Sequence, residues 1–236
     1  MSTNNKNYEK IKKRFALNNS YFKNRRPQDP STPREVLEYL NQHGELPYKE
    51  EVSDNWIYQC YVEYQKRAGV QLDQFFTPIE GAEQVGQLAN EFFKDNVYVL
   101  DAFCGFGMLS KALKKHGFIV SGFDVDADIC ELYNENTSNI TERTDFRDYH
   151  SKYKSIVSNP PFLAGIMQIE VLQKLYELLE PQGIIIFILP QGFMYKTRPK
   201  SLVDVINKFK ILCCTPLKGE FERTKVLCDI YICEKI

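Results

Sequence analysis

From about residue 75 onward, short apolar runs alternate with helical repeats, a pattern that predicts an α/β fold. Val85, Leu88, Ala89 and Phe92 recur at helical spacing behind Thr77-Pro78-Ile79-Glu80, which reads as a capping box with proline at the first helical position. Val97-Tyr98-Val99-Leu100 reads as a buried strand, and a helical segment ending near Lys115-His116-Gly117 follows it. Phe118 to Phe123 reads as a second strand that ends at Asp124, and a third should end at Asp145-Phe146. Ser155-Ile156-Val157-Ser158 is another apolar run, closed by Asn159-Pro160-Pro161-Phe162. A helix (about 168–180), a strand from Ile184 to Leu189, a second helix (about 200–209) and a hairpin are expected after it.

Upstream, Thr32-Pro33-Arg34-Glu35 is a second capping box, and Val36, Leu37 and Leu40 precede Gly44. Asp54 to Arg67 places Ile57, Tyr61 and Tyr64 on one helical face and stops at Gly69. The chain therefore divides into a helical appendage, residues 1–70, and a main domain, residues 71–236.

Two constellations carry candidate chemistry. The first is Asn159-Pro160-Pro161-Phe162 at a strand end. Each proline fixes its own φ and biases the preceding residue toward extended geometry, so this backbone is stiff. The Asn159 side-chain oxygen and the Pro160 carbonyl can then aim at one amino group, and Phe162 offers a flat face to a planar substrate. That set suits methyl transfer to an exocyclic or amide nitrogen. The second is the turn Asp101-Ala102-Phe103-Cys104-Gly105-Phe106-Gly107 between strand and helix, the opening unit of a Rossmann-like fold. Its glycines let backbone approach a ligand closely. Ser110 stands where a dinucleotide fingerprint would have a third glycine, so a dinucleotide is not indicated. Asp124, at the tip of the second strand, can take two hydrogen bonds from ribose hydroxyls. Asp145 can accept one from an adenine amino group.

These residues resemble the amino-group class of S-adenosylmethionine-dependent methyltransferases. Gln74-Phe75-Phe76-Thr77-Pro78 adds a segment similar to the Phe-x-Thr-Pro of DNA adenine-N6 methyltransferases, especially the modification subunits of type I restriction systems. The order Phe-x-Thr-Pro, glycine turn, Asn-Pro-Pro-Phe matches that group over roughly residues 72–236. The resemblance implies a class I fold: a central seven-stranded mixed sheet with a C-terminal antiparallel hairpin, here with the helical appendage before it. It implies S-adenosylmethionine held by Phe76, Thr77, Pro78, Asp101, Phe103, Gly105, Gly107, Asp124, Val125, Asp145, Phe146 and Asn159. Catalysis is implied at Asn159, Pro160, Pro161 and Phe162, by direct transfer to adenine N6 without a covalent nucleophile or a metal. A base in duplex DNA would have to be flipped out first. The group usually carries a separate target-recognition region after the catalytic domain. Only about 74 residues follow Phe162 here, so sequence choice is expected from the appendage, from the loop Gln191 to Lys200, or from a partner subunit.

Composition changes the picture in two places. Residues 1–34 hold nine Lys and Arg against two acids, while the whole chain has a formal net charge of −1. A basic arm on an acidic domain suits phosphate binding, with DNA the expected partner and RNA the alternative. Seven cysteines without a Cys-x-x-Cys pair read as reduced thiols, and no apolar run approaches membrane-spanning length, so a cytoplasmic protein is expected. Three other readings stay open: an RNA base amino-group methyltransferase (guanine N2 or adenine N6), a protein-glutamine methyltransferase, and an inactive nucleic-acid-binding subunit of the same fold.

Overall fold

The computed structural model describes residues 75–236, apart from 95, 128, 131–132, 134–136, 138–140, 162–165, 197–198 and 222–223. The expected basic arm and appendage helices lie outside the described residues.

The elements are α1 (Ile79–Phe92), β1 (Tyr98–Ala102), α2 (Met108–Lys115), β2 (Ile119–Asp124), β3 (Thr141–Arg143), β4 (Tyr153–Ser158), α3 (Ile166–Leu178), β5 (Leu179–Pro190), α4 (Lys200–Ile206), β6 (Phe209–Pro216) and β7 (Cys228–Lys235). The seven strands form one sheet in the order β3-β2-β1-β4-β5-β7-β6. The first five are parallel, and β7 runs antiparallel to both β5 and β6. This is the Rossmann-like class I arrangement with a C-terminal antiparallel pair.

Strand character follows position in the sheet. In β1 and β4 the last four residues are all buried, as central parallel strands require. In β6, at the edge, exposed residues alternate with more buried ones. Leu100, Ala102, Ile156, Ile185 and Phe187 join one apolar cluster with Leu172 and Leu175 of α3 and Leu202 and Val205 of α4. Period-two alternation turns Asp101 away from that cluster, to where Ser110 of α2 bonds it.

The chain moves outward from β1 through β2 to β3, then crosses back to place β4 on the other side of β1. The strand order therefore reverses between β1 and β4. A crevice at such a switch point opens at the carboxyl ends of the two strands. The glycine turn follows β1 there, and Asn159 follows β4.

Several expected boundaries move. Thr77 does not cap α1: Pro78, at φ −56° and ψ 149°, is the N-cap, without a side-chain cap bond. Its carbonyl accepts the first helical bond, from Ala82 N–H, at 2.8 Å. Thr77 is drawn toward Asn159 instead. The third strand stops at Arg143, because Asp145 caps a 3-10 turn (Phe146–Asp148) by accepting from Arg147 N–H at 2.9 Å. The fifth strand begins at Leu179 but shifts register before Ser155 pairs with Ile184, and Gln182 sits there at φ 58°. Helix α4 ends at Ile206, so Phe209 belongs to β6.

Gly107 is left-handed at φ 83°, and a Cβ there would lie 2.5 Å from Thr137 Cγ2 and 2.8 Å from Tyr133 Cδ2. Gly117 has φ 85° but open space around it. Gly117→Ala should therefore cost only backbone strain, about 1–2 kcal/mol. Gly107→Ala adds a steric clash in the core and should cost clearly more, roughly 3 kcal/mol or above. Urea unfolding of the two variants without ligand checks the order.

Candidate active site

Three segments converge on the crevice. The first is the turn after β1. Phe103 is a non-glycine residue at φ 59°, followed by Gly105 at φ 50° and Gly107 at φ 83°. Three left-handed residues in five reverse the chain tightly before α2 starts. Phe103 tolerates its backbone because its ring is packed, with centroids 5.3 Å from Phe123 and 5.6 Å from Phe146. Phe103 and Phe146, singled out separately along the sequence, are thus neighbours.

Buried acids brace this turn. Asp101 is fully buried, and its Oδ2 accepts from Ser110 N–H at 3.1 Å and from Ser110 Oγ–H at 2.6 Å. The Tyr133 hydroxyl lies 2.7 Å from the same Ser110 Oγ and extends the chain of bonds. Asp124 Oδ2 accepts from Gly105 N–H at 3.0 Å, and its Oδ1 from Asp126 N–H at 3.1 Å. Burial pushes the Asp101 carboxyl up to about 7 and Asp124 up to about 6, against the hydrogen bonds that favour the charged forms. Burial likewise raises the Cys104 thiol well above its ordinary value, which makes it a poor nucleophile.

The second segment is the end of β4. Ser158 Oγ donates to the Ala102 carbonyl at 3.1 Å, tying the tips of β4 and β1 together. Asn159 follows, and its Nδ2 donates to the Phe75 carbonyl at 2.6 Å and to Thr77 Oγ1 at 3.2 Å. A carbonyl only accepts, so this contact fixes which end of the amide faces Phe75. The Asn159 oxygen must then point the other way. Pro160 is buried behind it and Pro161 half-buried. Phe162 lies outside the described residues.

The third segment is the Phe75–Pro78 run. Phe76, Thr77 and Pro78 are buried, and Phe76 packs against the glycine turn, within 3.4 Å of where a Gly105 Cβ would stand.

Among the described residues, two buried side-chain oxygens have no hydrogen-bond partner: Asp101 Oδ1 and Asn159 Oδ1. Both belong to the carboxyl ends of adjacent parallel strands. Buried acceptors without donors are costly, and a ligand rich in N–H and O–H donors would satisfy them. For the Asp101 oxygen, S-adenosylmethionine has that chemistry in its ammonium group, ribose hydroxyls and adenine amino group. The remaining predicted cofactor residues are more open. Val125 is 47% exposed, and the Asp145 carboxylate is bridged to Arg147 at 3.2 Å, with Arg147 also paired to Glu170 at 2.9 Å.

The model of the methyltransferase small domain family matches residues 85–216, more than half of the chain. The chain belongs to this family. It is an S-adenosylmethionine-dependent methyltransferase, and the free Asp101 oxygen fits that cofactor. No curated protein matches the chain in sequence. Solved methyltransferase structures share the fold. A Listeria monocytogenes protein described as a candidate class I S-adenosylmethionine-dependent methyltransferase is 16% identical, at TM-score 0.61, covering 86% of this chain and 79% of that one. A Pyrococcus horikoshii protein described as a candidate RNA methyltransferase is 21% identical, at TM-score 0.58, covering 70% and 86%. A TehB-like methyltransferase from Corynebacterium glutamicum is 17% identical, at TM-score 0.53, covering 76% and 96%.

Within this methyltransferase, sequence reasoning passed over Ser110, Tyr133 and the Phe75 carbonyl. Ser110 carried a signal, since it stands in the place of a fingerprint glycine. Tyr133 and a main-chain oxygen at Phe75 carried none.

Two measurements test the site. Asp124→Ala removes a carboxylate from the β2 tip and should weaken S-adenosylmethionine binding by about 1–3 kcal/mol, roughly 5- to 150-fold by calorimetry. The acids also make stability pH-dependent. With folded values raised to about 7 and about 6 from 3.8, the native state holds protons that the unfolded chain has released. The ligand-free protein should therefore lose stability as pH rises from about 4 to about 7. Asp101→Asn should remove the larger share of that slope, so its unfolding free energy should gain on wild type toward pH 7 in parallel urea titrations.

Proposed function

We propose that this methyltransferase transfers a methyl group to the N6 amino group of adenine in DNA. The observation that carries this reading is the pinned Asn159 amide, whose free oxygen is buried at the β4 tip and followed by two prolines. A planar amino group on a base supplies the donor such an oxygen lacks. The Phe-x-Thr-Pro segment that pins the amide is the feature that resembles the DNA adenine-N6 group.

Bound S-adenosylmethionine supplies an electrophilic methyl on its sulfonium. Asn159 Oδ1 accepts one amino hydrogen and orients the nitrogen lone pair, with the Pro160 carbonyl as the second acceptor. Phe162 stacks on the base. Asp124 would hold the ribose of the cofactor, and Phe76 with the glycine turn would wall its methionine end. Rate then comes from holding the two reactants together, worth several powers of ten without a covalent enzyme intermediate. Cys104, buried with its thiol raised, takes no part. The basic residues between Lys6 and Arg34 contribute phosphate contacts that position DNA without reading its sequence. A partner subunit or the loop from Gln191 supplies sequence choice. The setting is cytoplasmic; among the described residues no helix is long and apolar enough to cross a membrane.

RNA is the second reading. An oxygen that accepts from an amino group does not sense a 2′-hydroxyl, and one structural neighbour is described as a candidate RNA methyltransferase.

Incubation with methyl-labelled cofactor and pooled DNA, RNA and protein, then digestion to nucleosides and amino acids, identifies the product. N6-methyldeoxyadenosine is expected. Label in ribonucleosides alone would move the function to RNA, and label on glutamine would move it to protein. Asn159→Ala should lower turnover by roughly a hundredfold or more while cofactor affinity stays within about threefold, because the oxygen acts on the acceptor.

A further inference from the structure

The loop between β6 and β7 stays tied to its hairpin at Leu217, whose N–H donates to the Cys228 carbonyl at 3.0 Å, and is anchored beyond it on α1. Leu217 and Lys218 lie against α1: a Cβ on Gly81 would come within 2.7 Å of Leu217 Cδ1 and 2.9 Å of the Lys218 carbonyl. Gly219, at φ 77°, approaches Pro78 so closely that a Cβ would lie 2.8 Å from the proline Cβ. Gln84 of α1 clamps the loop at both of its polar ends. Its Nε2 donates to the Pro216 carbonyl at 3.0 Å, and its Oε1 accepts from Lys218 N–H at 2.8 Å. Beyond these contacts Phe221 is buried, 5% exposed, and its ring meets Phe75 edge-on with centroids 6.5 Å apart. Phe75 is the residue whose carbonyl takes the Asn159 amide at 2.6 Å.

A continuous mechanical path thus runs from the last hairpin to the acceptor oxygen. Phe75 and Phe76 face different supports, Phe76 against the Gly105 turn and Phe75 against Phe221. Phe75 precedes α1, so no helical bond holds its carbonyl in place. The Phe221 contact and the Gly219–Pro78 approach both contribute to restraining it. We propose that Phe221 is a positioning residue: by packing on Phe75 it holds the Phe75 carbonyl, and through it orients the Asn159 amide toward the methyl acceptor. The proposal rests on the role of Asn159 stated above, but not on which base or polymer carries the amino group.

The test uses the full chain, with Phe221→Ala, Phe221→Leu as the conservative rescue, and Gln84→Leu as a variant that loosens the loop from a less buried site. The first readout needs no substrate. In wild type the Asn159 side-chain NH2, assigned by its loss in Asn159→Ala, should exchange slowly with solvent. In Phe221→Ala it should exchange about tenfold faster or more, while backbone amides of β1 and β4 keep their protection. Gln84→Leu should move it in the same direction, and Phe221→Leu should restore much of it. The second readout is turnover on whichever acceptor the labelled-cofactor experiment identifies. The kcat of Phe221→Ala should fall about tenfold or more, with cofactor affinity and KM within about threefold. Unchanged exchange of the Asn159 amide overturns the proposal. So does equal acceleration in β1 and β4, which would make Phe221 a general packing residue. A different methylated product would overturn the choice of DNA adenine and leave the exchange result standing.

Discussion

The two hydrogen bonds donated by the Asn159 amide, to the Phe75 carbonyl and to Thr77 Oγ1, organise the mouth of the sheet. They join segments more than eighty residues apart in sequence. They also decide what the other end of the amide can do. Had Asn159 been free to flip, its oxygen and nitrogen would compete for the same direction, and the site would offer a substrate amino group a donor as often as an acceptor. With Nδ2 held, the oxygen is left buried and without a partner. The Phe-x-Thr-Pro and Asn-Pro-Pro segments thus act as one device. This explains why Thr77 does not cap α1: its hydroxyl is committed to the amide, and Pro78 serves as the N-cap instead.

A second constraint acts around the glycine turn. Asp101 and Asp124 are buried acids held by backbone and hydroxyl donors, yet burial raises both carboxyls toward neutrality. Such groups cost stability when ionised. They are tolerable where a ligand brings the donors that complete their bonding. The unpartnered Asp101 Oδ1 and the tight left-handed turn beside it describe a site that a ligand bringing N–H or O–H donors would complete. The same arrangement makes Cys104 chemically quiet, which agrees with methyl transfer that proceeds without an enzyme-bound intermediate.

Most of the sheet was legible in the chain because central parallel strands are short apolar runs bounded by turn residues. β1, β2 and β4 were read within a residue or two, and the expected seven-stranded mixed sheet with its closing antiparallel pair is present. The misread boundaries share a cause: a side chain did something other than its local propensity suggested. Asp145 turned back to cap a 3-10 turn and so ended β3 early. The residues before Ile184 stayed beside β4 through a register shift. Glycine and proline signals marked the tight turn after β1 and the end of β4, since tight turns and stiff strand ends depend on residue type. The support of the site was not legible in the same way. A main-chain carbonyl at Phe75, the Tyr133 hydroxyl behind Ser110 and the Phe221 ring have no local signature, and only the folded chain brings them to the residues they hold.

If Asn159 acts as proposed, its amide nitrogen is needed for transfer as well as its oxygen. Asn159→Asp tests this directly, because the carboxylate keeps an acceptor of the same shape while replacing two donated bonds with repulsion against the Phe75 carbonyl. Single-turnover methyl transfer at saturating cofactor is the measurement. A fall of roughly a hundredfold or more is expected, with cofactor affinity little changed. A rate near that of the wild type would show that any acceptor at this position suffices, and would contradict the claim that the pinned amide sets the site.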